Sequence, residues 1–162
     1  MLLATTRSAN LLLAGMLAGN ELGTWVAVHP ALGRLSAAEC IRAEQEVTRR
    51  FAAIMPFWMS SVIASCLAVL ALIRDRRSRA FRSTLAGTAC FVAMLLSTLF
   101  GNVPINNRVL ELSPETDAEE FSRLRERWDR LHALRVLLNV AGLSLLQLGA
   151  LREEKHRAWK KS

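Results

Sequence analysis

Charged residues fall in clumps along the chain, and long apolar runs separate the clumps. Ser8 to Val28 is broken only by Glu21, and Phe51 to Ile73 is 23 residues without a formal charge. Ser83 to Gly101 is uncharged, and Ala133 to Leu151 is broken only by Arg135. About 20 such residues cross a hydrocarbon core of roughly 30 Å at 1.5 Å per residue. The pattern therefore predicts an all-α integral membrane four-helix bundle in one domain, with spans at about 8–28, 51–73, 83–101 and 133–151. Gly15, Gly19 and Gly23, at every fourth position, read as a stripe for helix contact, and Ser60, Ser61 and Ser65 suit close packing in the second span.

The polar connections carry their own signals. Ser36-Ala37-Ala38-Glu39 is a capping-box pattern, and Thr116-Asp117-Ala118-Glu119 repeats it. Neither Gly nor Pro follows Ser36 before Pro56, so helices two and four are expected to start outside the bilayer and form an extracytoplasmic cap. Arg74, Arg76, Arg77, Arg79 and Arg82 crowd the second connection, and Arg152, Lys155, Arg157, Lys160 and Lys161 follow the last span. Positive residues stay on the cytoplasmic side, which puts both termini there, in a bacterial cytoplasmic membrane. An uncleaved first span is expected, because its apolar stretch outruns a signal peptide's and no clear cleavage site follows.

Composition sharpens this picture in one respect. The net charge of +7 comes from 21 Lys and Arg against 14 Asp and Glu, and it is a topology signal rather than a nucleic-acid footprint. The expected partners are the bilayer and a lipophilic small molecule, with a second copy of the chain as a further candidate, but no nucleic acid. Cys40, Cys66 and Cys90 are odd in number and show no C-x-x-C, so disulfide exchange is unsupported; Cys66 and Cys90 read as packing residues.

Two ionisable residues interrupt spans, and such groups usually face the bundle interior, find a partner and mark a site. Glu21 and Arg135 are therefore expected to form an ion pair or to share a water network. Trp128, His132, Arg135 and Asn139 stand at i, i+4, i+7 and i+11, one face of the last helix. Asn102, Asn106 and Asn107 surround Pro104, which is expected to break or kink the third span, and His29-Pro30 is expected to end the first. Glu21, His132 and Arg135 are the candidate catalytic groups, with Asn102, Asn106, Trp128 and Asn139 as ligand contacts. Two histidines and a carboxylate, His29, His132 and Glu21, are the set that could hold a single iron or copper ion; chemistry without a cofactor is the other expectation.

Gly19-Asn20-Glu21, His29-Pro30, the segment Asn102-Val103-Pro104-Ile105-Asn106-Asn107 and Trp128-x-x-x-His132-x-x-Arg135 together resemble the anthrone oxygenase family of small four-span membrane proteins. The resemblance runs over nearly the whole chain. It places Glu21, Asn102, Pro104, Asn106, Trp128, His132 and Arg135 on the family's pattern. It implies an oxygenase that acts on a lipophilic aromatic or polyketide-like molecule. A base and a cation beside an apolar slot suit that chemistry. A non-catalytic membrane module that binds a small ligand or a partner protein is the alternative.

Overall fold

The structure, a computed structural model, describes residues 1–115 and 117–159, with side chains as far as Glu153. Among the described residues all regular structure is helical, and four helical stretches are long and apolar enough to cross a membrane. The first joins α1 (Leu2–Gly23), a π-helical segment (Thr24–Val28) and α2 (His29–Leu32). The second is α3 (Ala37–Leu72). The third joins α4 (Arg79–Ser97), a second π segment (Thr98–Asn102) and α5 (Val103–Glu111), and the fourth is α6 (Ala118–Trp159). Large apolar side chains such as Leu12, Phe57, Phe100 and Leu137 point outward and suit a lipid surround.

The prolines change the helices without ending them, contrary to the expectation for His29-Pro30 and for a break at Pro104. Each π segment stops two residues before a proline, and each proline then occupies the first turn of the next α-helix, so the widened π turn before it accommodates its ring and missing N–H. The His29 amide reaches five residues back to the Thr24 carbonyl, and the Val103 amide to Thr98. A π turn takes up one extra residue. Eight residues then span two turns, so Glu21 and His29 share an inward face. Pro56 lies within α3, which continues through it.

Ser36 caps α3 with the expected capping box, its side chain accepting from the Glu39 amide while Glu39 reaches back. Thr116 lies outside the described residues, so the second box is not placed. The first turns of α3 and α6 pack with α5 around Cys40, Ile41, Ile105, Val109, Leu112 and Phe121. Gln45 Nε2 donates to the Val109 and Leu112 carbonyls at 3.0 Å each, satisfying the end of α5. Arg108 bonds Glu120 at 2.7 Å across the outside. A second core of Ala14, Leu17, Met59, Val62, Cys66, Phe91, Met94 and Leu146 fills the other part of the bundle. Glu21 lies beyond Leu17, Asn102 between Met94 and Ile105, and His132 and Arg135 between Phe121 and Leu146, so these four fall between the two cores.

The first-span glycine stripe is not a packing seam. A Cβ added at Gly15, Gly19 or Gly23 meets nothing within 4 Å. Close approach belongs to α4 and α6. There a Cβ on Gly87 would stand 2.9 Å from the Gly142 carbonyl, one on Gly142 2.8 Å from Phe91, and one on Gly149 2.6 Å from Thr84 Oγ1. Ser65 packs, accepting from Asn10 at 2.8 Å, while Ser60 and Ser61 are exposed. Gly142→Ala is therefore expected to destabilise the protein, and Gly19→Ala to leave it level or slightly firmer, since glycine within a helix costs roughly 0.5–1 kcal/mol against alanine. Paired melting curves in one detergent check this, and equal shifts would refute the α4–α6 seam.

Candidate functional site

The predicted stripe on α6 faces inward. His132, Arg135 and Asn139 are buried and Trp128 is half-buried. Arg135 donates through Nη2 to Glu21 Oε1, so the two intramembrane charges form a direct pair across the α1–α6 contact. Glu21 is 1% exposed and Arg135 6%, which means that both were stripped of water and each depends on the other. His132 Nε2 lies 3.0 Å from the Glu21 backbone carbonyl. That oxygen can only accept, so Nε2 carries a hydrogen, and in the neutral ring Nδ1 presents its lone pair. Nδ1 stands 3.4 Å from Glu21 Oε2, and neither atom has a hydrogen-bond partner within the protein. Two acceptors facing each other form a place for one incoming proton.

A second polar group adjoins the first. Glu44, on α3, receives Arg125 Nη1 at 3.1 Å and lies 3.7 Å from His29 Nε2. His29 Nδ1 is 3.1 Å from Asp129, and Arg125 Nη2 also donates 2.6 Å to the His29 carbonyl, near the end of the first helical stretch. Trp128 joins the two groups. Its ring lies 4.1 Å from that of His29 and 4.4 Å from that of His132, with planes 2° and 16° apart. Its Nε1 donates to Asn106 Oδ1 at 2.8 Å, tying α6 to α5. Trp128→Phe keeps a stacking face but removes that bond. It is expected to loosen ligand binding more than it lowers the melting temperature, which titration and melting of the same sample separate.

Both groups open on one cavity of about 540 Å³. Its polar side is formed by Glu21, His29, Glu44, Asn106, Trp128, His132 and Arg135. Its apolar lining comes from Phe51, Met55 and Met59 on α3 and Leu95, Leu99, Val103 and Leu110 on the third stretch. A few convergent polar groups in an apolar slot of this size make a small-molecule site.

Of the residues singled out from sequence, Glu21, His29, Asn106, Trp128, His132 and Arg135 meet on this cavity. Asn102 and Asn139 are fully buried but are not among its lining residues; Asn139 donates to the Arg135 carbonyl at 2.9 Å, and the Asn102 amide has no partner within the protein. The metal set is less well met. The His29 and His132 rings are 6.0 Å apart, His29 is directed to Glu44 and Asp129, and among the described residues no three His, Cys, Asp or Glu side chains gather in a metal-holding group. Glu44, Arg125 and Asp129 were not anticipated. Arg125 continues the α6 stripe one step back, three residues before Trp128, and Glu44 is three residues beyond the buried Ile41, so helical spacing carried a signal for both.

A family model described as anthrone oxygenase matches residues 45–145, which contain most of this cavity wall. No curated protein and no solved structure matches the chain.

Proposed function

Because the chain belongs to the anthrone oxygenase family, we propose that it is a membrane-embedded oxygenase of a lipophilic aromatic or polyketide-like molecule. The observation that carries this reading is the paired Glu21 and His132 acceptors at the polar side of an apolar cavity, with the Arg135 cation beside them. In an anthrone, the ring methylene lies next to a conjugated carbonyl system, and loss of one of its protons gives an enolate that reacts with O2. The methylene becomes a carbonyl, one oxygen atom enters the product, and the other leaves as water with the two methylene hydrogens. His132 or Glu21 takes the first proton. Arg135 and the Asn106 amide stabilise the oxyanion, and the apolar wall keeps bulk water from the enolate. These steps use the chain's own groups and O2.

With the basic connection and the C-terminal tail on the cytoplasmic side, the cavity lies toward the outer leaflet and the α3–α5–α6 core forms a cap above it. The test is anthraquinone formation when purified protein in lipid nanodiscs is given anthrone. Formation well above that in protein-free nanodiscs is expected. Formation at the protein-free rate would overturn the reading and leave a non-catalytic binding module.

A further inference from the structure

We propose that the ligand reaches the cavity sideways from the bilayer, through a gap between α3 and the third helical stretch, rather than from water through the cap. The inference rests on the reading that the cavity takes a lipophilic molecule. Five residues both line the cavity and are exposed: Ala52, Pro56 and Ser60 on α3, and Leu99 and Asn107 on the facing stretch. They mark its mouth. Ala52, Pro56 and Ser60 follow one another at four-residue intervals, so small side chains form one edge of the gap. Pro56 has no N–H to offer the Ala52 carbonyl four residues back, which leaves that acceptor at the rim.

The surroundings of the mouth are apolar. Phe57 and Phe100 are each 77% exposed, Ile54 55% and Leu96 48%, and these four stand beside the rim residues along their own helices. Exposed charge begins only at Arg49 and Arg50 on α3 and at Arg108 and Glu111 on α5. The mouth therefore opens below that charged ring, into hydrocarbon. From it the cavity runs to Glu21 and His132, whose Oε2 and Nδ1 are buried without hydrogen-bond partners within the protein. A molecule entering this way leaves lipid only as its hydrogen-bonding end meets those groups. At the cap, by contrast, Ile105, Val109 and Phe121 line a crevice of about 20 Å³ beside His29, Glu44 and Trp128, too narrow for an aromatic ligand.

Nitroxide labels placed by Ser60→Cys, and by Phe57→Cys as a lipid-facing reference, test the route in nanodiscs. The unmodified protein serves as the labelling blank and reports any label taken up by the half-buried Cys90, while Cys40 and Cys66 are buried. Both labels are expected to relax strongly with dissolved O2 and weakly with a water-soluble nickel chelate, and added anthrone should lower O2 access at position 60 but not at 57. A label at position 60 relaxed mainly by the nickel chelate, or one indifferent to anthrone, overturns the proposal. In the second arm Ser60→Trp narrows the mouth. Loss of turnover at an unchanged melting temperature supports the route, whereas full turnover contradicts it. If the parent turns over no anthrone, the oxygenase reading fails while the label arm still decides the route.

Discussion

Arg135→Leu is expected to lower stability by about 3–5 kcal/mol, because it leaves the Glu21 carboxylate buried without its counter-charge. The loss comes from the partner left behind more than from the attraction removed. Glu21 is 1% exposed, and its other oxygen faces His132 Nδ1, which becomes a counter-charge only by taking up a proton inside the protein. The double variant Glu21→Gln/Arg135→Leu removes both charges and should recover much of the deficit, as replacement of a whole buried pair by neutral groups often does. Reversible unfolding of the single and double variants in one detergent measures this. A single variant as stable as the parent would mean that the pair does not hold α1 to α6.

The second large effect falls on turnover. Glu21→Gln and His132→Gln each keep the size of the side chain while removing its ability to take a proton, and Glu21→Gln also leaves Arg135 without its counter-charge, so it lowers stability as well. General-base catalysis contributes on the order of 10²–10⁴-fold, and a loss in that range is expected for whichever group is the base. His132→Gln can still donate to the Glu21 carbonyl that His132 Nε2 now meets at 3.0 Å, so its melting temperature should stay near the parent's. The loss should appear in kcat with KM little changed. A rise in KM at constant kcat would make both residues ligand contacts instead.

Much of the fold was legible because membrane spans leave a coarse signal: clumped charge and uncharged runs of helical length. The Glu21–Arg135 pair was legible for the same reason, since a lone anion and a lone cation inside two spans are costly unless they meet. The prolines misled, because a proline residue announces a lost hydrogen bond but not how the helix absorbs it. At Pro30 and Pro104 a π turn takes up the strain and carries the helix on, which brings His29 onto the inward face that Glu21 occupies. The glycines misled differently. Four-residue spacing in Gly15, Gly19 and Gly23 marks a face able to pack, yet whether another helix reaches it is a tertiary fact, and the close contact formed instead at Gly87, Gly142 and Gly149. Glu44 was hidden among other charges of the α3 N-terminal turns, where a solvated residue and a buried one look alike without the neighbouring Arg125.

The most direct test is oxygen uptake with anthrone by the parent and by Glu21→Gln/His132→Gln in the same nanodiscs. One O2 consumed per anthrone oxidised is expected for the parent, and uptake no faster than in protein-free nanodiscs for the double variant. A folded double variant that keeps pace with the parent would contradict it.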